Sequence, residues 1–141
     1  MKYALVFPGQ GAQQVGMGKE LYDNFQEAKN VFDKANEIIG YDLRKLIFEG
    51  PESDLKQTIN TQPAVFVTSI ACLEVLRSQF PEITSKASFT AGHSLGEYTA
   101  LYAAGAFGLD AGLNLVKQRA QFIHEESGKN KGTMAAIIGL D

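Results

Sequence analysis

Cysteine is almost absent: Cys72 is the single one, and it sits inside an apolar run. An internal disulfide is therefore excluded. With only two histidines, His93 and His124, the chain has no Cys/His cluster of the kind that holds zinc. No excess of positive charge exists. The 13 Lys and Arg are outnumbered by 16 Asp and Glu, for a net charge of −3, so nothing global favours nucleic acid or an anionic membrane. The opening "MKYALVFPGQ" has one Lys and an apolar stretch ending at Pro8, too short for a signal-peptide core and far too short to span a bilayer. No internal repeat, low-complexity segment or G-x-x-x-x-G-K-[ST] phosphate loop occurs. A reducing, cytoplasmic home is the expectation these absences leave.

What is present is ordinary for a globular chain: 141 residues, 45% apolar and 21% charged, enough for one domain with a core. "YALVF" (Tyr3 to Phe7) is rich in β-formers and closed by Pro8 and Gly9, and it predicts a buried strand of a parallel sheet. The glycines of "PGQGAQQVGMG" predict a loop that bends tightly or approaches something closely. Phe25, Ala28, Phe32, Ala35 and Ile39 recur at helical steps ahead of Gly40. "DLRKLIFEG" and "PESDLKQTI" predict short helices opened by Asp42 and Pro51. "QPAVFVTSIACLEVLRSQF" predicts a helix buried all round from about Pro63 to Gln79. "KASFTAGH" is a second strand, "SLGEYTALYAAG" a helix ending at Gly105, and "LDAGLNLVKQRAQFIHEES" a long amphipathic helix. After the polar break "GKNKG", "TMAAIIGL" is a third strand. About six helices with three strands is a poor balance for a parallel sheet, which needs neighbours and covered faces. Either strands go undetected or the chain is the first part of a longer protein.

Gly92, His93, Ser94, Leu95 and Gly96 meet the pattern G-x-S-x-G between an expected strand and an expected helix. Such a turn strains the serine backbone and sets its hydroxyl at a helix N-terminus, where unpaired N–H groups favour negative charge. Leu95 N–H is then placed to hold the oxyanion of a tetrahedral intermediate. A second donor is expected from "PGQGAQ", either Gln10 or Gly11, because this loop follows the other strand and opens at the same sheet edge. A dinucleotide role for that loop fails, since Gln14 stands where the third glycine of G-x-G-x-x-G belongs. The structural alternative for Ser94 is a helix cap in a Gly-rich turn.

A nucleophilic serine needs a proton acceptor, most often histidine. His93 adjoins Ser94, and adjacent side chains on such a turn point apart, so it is expected to shape the turn. His124 falls on the polar side of its helix, with Lys117 and Gln121. At about 100° per residue, Leu113, Leu115, Val116, Ala120, Phe122 and Ile123 share one broad face. Arg119 lies within that face. It either snorkels or pairs with a structural carboxylate, or it grips a substrate carboxylate with two parallel hydrogen bonds.

"FPGQGAQQVGMG", "TQPA", "AGHSLGEYTAL", "KQRAQF" and "GTMAAIIGLD" occur in this order. Together they resemble the N-terminal half of malonyl-CoA:acyl carrier protein transacylases and the acyltransferase domains of polyketide synthases, over essentially the whole chain. The resemblance implies a ping-pong transfer. Ser94 would take malonyl from malonyl-CoA as an ester and pass it to the phosphopantetheine thiol of acyl carrier protein, with no resident cofactor and no metal. It implies an oxyanion hole from the backbone N–H groups of Gln10 and Leu95, and a malonyl carboxylate bound by Arg119. Gln62 and His93 would also belong to the substrate site. The implied fold is α/β: an α/β-hydrolase-like parallel sheet with helices on both faces, carrying an inserted ferredoxin-like part. Residues 1–128 would be the N-terminal part of the large subdomain and 129–141 the start of the small one. The family's catalytic histidine lies past residue 141, so the chain is expected to be a fragment that needs the C-terminal remainder of the same polypeptide. Lys129 and Lys131 flank this half as a candidate patch for docking the acidic carrier protein, against the alternative of a solvated loop. A serine esterase built on the same turn, and an inactive or interacting fragment, stay open as alternatives.

Overall fold

The computed structural model describes residues 2–129 and Gly139. Chain order is β1 (Tyr3–Phe7), α1 (Lys19–Asn24), α2 (Gln26–Ile39), α3 (Leu43–Glu49), α4 (Glu52–Leu55), α5 (Thr58–Gln79), α6 (Pro81–Thr84), β2 (Ala87–Gly92), α7 (Gly96–Ala103) and α8 (Leu109–Lys129). The short helices α1 and α6 had no periodic signal strong enough to announce them.

The core is built round α5. Thr61 to Val67 are buried without a break, and Phe66, Ile70 and Ala71 are wholly enclosed. The apolar stripe of α2 packs on it through Ala28, Val31, Phe32, Ala35 and Ile39, as the helical period requires. Leu113 and Val116 of α8 close the other side. Burying a side chain such as Phe32 or Phe66 stabilises the fold by roughly 1.5–3 kcal/mol. Gly112 makes the α8 approach possible, since a Cβ there would stand 2.6 Å from the Phe107 ring and 2.8 Å from that of Phe66. Among the described residues α5 is the one helix long and apolar enough to cross a membrane, and here it is the core helix.

α5 starts at Thr58, five residues ahead of the expected Pro63, and α4 ends at Leu55. The proline removes only one backbone hydrogen bond. The helix is already anchored before it, with Gln57 C=O accepting from the N–H groups of Asn60 and Thr61 and the Thr61 hydroxyl donating to Leu55 C=O. Gln62 is therefore a buried helical residue.

β1 and β2 pair in parallel, with Leu5 beside Thr90 and Phe7 beside Gly92. The Leu5/Phe7 face packs on Leu73 of α5 and on Ala100, Tyr102 and Ala103 of α7. The opposite face carries Ala4, Val6, Phe89 and Ala91. Val6 is 73% and Phe89 72% exposed, so among the described residues β1 is covered on one side, not buried on both as expected. The broad apolar face drawn for α8 also narrows. Leu113, Val116 and Ala120 are buried, whereas Leu115 and Phe122 are 45% and 62% exposed, because only the narrow stripe meets α5 and α2. α8 runs on through Lys129, the first residue of the expected small subdomain. The rest of that expected subdomain and Lys131 lie outside the described residues, as does the expected strand over 133–140 apart from Gly139.

Asp42 caps α3 as its position before "LRKLIFE" predicts, accepting from Lys45 N–H and from the Asn36 amide. The backbone N–H of Lys45, then the Asn36 amide, hold its carboxyl below the usual aspartate range. A depressed folded value means that the stabilisation is present above the unfolded value of about 3.9 and is lost as pH falls through the folded one. Asp42→Ala should cost about 1 kcal/mol at pH 7. In urea unfolding the gap between variant and parent should narrow as pH falls from neutrality through the folded value; a gap independent of pH would refute the cap.

Candidate active site

The parallel pairing of Phe7 with Gly92 brings the C-terminal ends of both strands to one edge, and the site is assembled there. β2 ends at Gly92, the chain turns through His93, Ser94 and Leu95, and α7 begins at Gly96. Ser94 has φ 51°, the left-handed region, and is the only non-glycine so placed among the described residues. That conformation costs of order 1–3 kcal/mol and is held by its surroundings. His93 N–H donates to Phe7 C=O at 3.1 Å, and Gly96 N–H to His93 C=O at 2.8 Å. Both flanking glycines are sterically required. A Cβ on Gly92 would lie 1.9 Å from the Gly96 carbonyl carbon, and one on Gly96 would lie 2.3 Å from the Phe7 carbonyl oxygen.

The loop after β1 lies directly against this turn. A Cβ on Gly9 would meet His93 C=O at 2.4 Å and His93 Nδ1 at 2.9 Å. His93 is thus exposed but seated against the loop, and no hydrogen bond joins it to Ser94 among the described residues. Gln10 is tethered to α5 by its Nε2, which donates to Thr58 Oγ1 at 3.1 Å. Gly11 N–H is engaged by Gln13 Oε1 at 2.7 Å. Gln10 N–H and Leu95 N–H donate to nothing among the described residues. Of the two loop donors the sequence left open, Gln10 is the one whose N–H is free among the described residues.

Arg119 reaches across from α8. Its Nη2 donates to Ser94 Oγ at 2.9 Å, its Nη1 donates to Gln62 Oε1, and its guanidinium carbon lies 5.7 Å from the centre of the Tyr98 ring. It is half-buried and pairs with no carboxylate among the described residues. This removes the structural-pairing alternative there. A cation kept partly out of water without a fixed anion is costly unless an anion arrives. His124 is exposed on α8, and Arg119 is the only described partner of Ser94 Oγ.

Three contributors escaped sequence reasoning: Gly9, Thr58 and Tyr98. Gly9 was visible only as one glycine of a rich loop. Thr58 and Tyr98 act through contacts that no spacing encodes. An apolar cavity of about 390 Å³ lies elsewhere, between β1 and α5, and none of Ser94, Arg119, Gln62 and Gln10 lines it. Cys72 does line it, and burial pushes its thiol pKa up, away from nucleophilic use.

A parallel strand pair and a strained serine between two obligatory glycines, with a guanidinium on its hydroxyl, define an α/β protein with a nucleophile elbow. Residues 4–139 match the acyl transferase domain, and the chain belongs to that family. It is 49% identical over 140 residues, 99% of its length, to a malonyl CoA-acyl carrier protein transacylase of Bacillus subtilis strain 168, of which it covers 43%. Among solved structures it is similar to an acyl-carrier-protein-S-malonyltransferase from Bartonella henselae, with TM-score 0.82 and 42% identity, over 86% of this chain and 38% of that one. It is equally similar to a malonyl-transacylase in complex with a type II PKS acyl-carrier protein, with TM-score 0.82 and 38% identity, over 89% of this chain and 40% of that one. The chain thus spans less than half the length of these relatives.

Proposed function

We propose that the whole protein transfers a malonyl group from malonyl-CoA to the phosphopantetheine thiol of acyl carrier protein, and that this chain supplies the nucleophile, the oxyanion hole and the carboxylate-binding residue. The observation that carries this reading is the 2.9 Å contact between a guanidinium with no anionic partner among the described residues and the hydroxyl of a strained serine. An acyl group attached at that hydroxyl and ending in a carboxylate satisfies both. The names and the carrier-protein complex of the relatives agree with it.

In the first half-reaction Ser94 Oγ bonds to the thioester carbonyl carbon and its proton passes to a base. The carbonyl oxygen becomes an oxyanion facing Gln10 N–H and Leu95 N–H. The carbon–sulfur bond then breaks, and the coenzyme A sulfur leaves with the proton. In the second half-reaction the carrier thiol attacks the Ser94 ester and the serine oxygen is reprotonated. The balance needs no resident cofactor or metal. The base is the downstream histidine that the resemblance implies, since His93 packs on Gly9 and His124 faces solvent. The setting proposed is the cytoplasm, in line with a sequence that carries a single cysteine.

Incubating the whole protein with malonyl-CoA alone should place a malonyl ester on Ser94, seen by mass spectrometry of the digest, and carrier protein bearing phosphopantetheine should discharge it. Steady release of free malonate without the carrier would mark a hydrolase instead. Label on another residue, or none, would refute the transfer.

A further inference from the structure

We propose that Gln62 is the positioning residue for Arg119: a buried neutral acceptor that holds the guanidinium in its working orientation without cancelling its charge. The orientation part stands on the structure alone; only the kinetic consequence rests on the malonyl-transfer reading.

Gln62 is 1% exposed, and the bond to Arg119 is the only hydrogen bond of its side chain among the described residues. A buried carboxamide needs a partner, so the pair is costly to break from either side. Arginine has only donors, so it must face the amide oxygen, and the amide's orientation follows from chemistry. Glutamate here would offer the same acceptor but add a buried negative charge, and Arg119 would be neutralised before any substrate arrived. A carboxamide orients the cation and leaves its field for an incoming anion. Two further contacts complete the seat: Ser94 Oγ on Nη2 and the Tyr98 ring near the guanidinium carbon. Thus α5, the serine turn and α7 each hold one part of a side chain delivered by α8. Both of the other contacts are exposed or half-buried, so Gln62 is the firm one.

Holding the guanidinium in place before binding saves the ordering that a free arginine would undergo in gripping a carboxylate. Gln62→Leu keeps the bulk and removes the acceptor. Malonyl-CoA selectivity over acetyl-CoA, as a ratio of kcat/KM, should fall about ten- to a hundredfold, the range for a hydrogen bond to a charged group, with KM for malonyl-CoA rising more than kcat falls. In an Arg119→Ala background the same substitution should change that ratio less than about twofold, because partners in one interaction are not additive. The Arg119 Nε–Hε resonance should report a rigid side chain in the parent and in Gln62→Glu, and a mobile one in Gln62→Leu. Gln62→Glu should nonetheless lose malonyl selectivity, since its charge occupies the cation. A rigid Arg119 in Gln62→Leu overturns the proposal whether or not the protein transfers malonyl. Equal losses for both donors, or full additivity with Arg119→Ala, also overturn it. Should the parent transfer no malonyl, the transfer reading fails by itself and the resonance still decides the role of Gln62.

Discussion

Gly96→Ala should destabilise the fold by at least about 3 kcal/mol, the upper part of the usual range for overpacking. It should also lower malonyl transfer by about a hundredfold or more, the effect of losing one oxyanion donor. The new Cβ would stand 2.3 Å from the Phe7 carbonyl oxygen, 2.9 Å from its carbon and 2.8 Å from the Pro8 carbonyl oxygen. All three are backbone atoms, so no side chain can swing aside. Either α7 lifts from β1, carrying Leu95 N–H with it, or the strand end is pushed and Gln10 moves with its loop. Either displacement shifts one of the two N–H groups proposed as the oxyanion hole. Gly128→Ala is the matched control: it is helical, and nothing lies within 4 Å of the added Cβ. It should leave stability unchanged or raise it by up to about 1 kcal/mol. Equilibrium denaturation and a transfer assay on both variants decide the matter. A Gly96→Ala protein as stable and active as its parent would show that the turn tolerates a side chain.

Arg119→Ala should lower kcat/KM for malonyl-CoA by about a thousandfold and for acetyl-CoA by far less. Removing one member of a desolvated charge pair costs about 3–5 kcal/mol, and three decades of rate correspond to about 4 kcal/mol. Acetyl carries no carboxylate, so it never made the contact. Part of the loss is structural, because Gln62 Oε1 is left buried without its partner. Arg119→Lys should recover little, since an ammonium is a point charge without the planar fork that suits a carboxylate. Both donors should be compared at saturating carrier protein. Losses of equal size would remove Arg119 from acyl selection and leave it a structural residue.

Much of this was legible along the chain. G-x-S-x-G between a β-like and a helix-like run located the elbow, because a glycine two residues either side of a serine is a local steric demand. Arg119 stood out by interrupting an apolar stripe, and the period of α8 was enough to point it inward. The same wheel erred at Leu115 and Phe122. A wheel shows which residues share a side, not how wide a strip the neighbouring helices cover. β1 read as buried on both faces for a similar reason, since composition records apolarity and not what lies opposite.

Long-range pairing was decided by tertiary structure alone. α5 is apolar all round, so it has no stripe from which the direction of Gln62 could be inferred, and its start ahead of Pro63 depended on anchors at Gln57 and Leu55. Gln13 captures the Gly11 N–H and leaves that of Gln10 free among the described residues, and Tyr98 entered only because α7 and α8 converge. The chain by itself determined which chemistry was on offer: a serine in a forced bend, a cation in an apolar strip, a glycine-rich loop. Packing decided that these meet at one point, because strand pairing and helix crossing bring together residues far apart in the chain, and no local period carries that information.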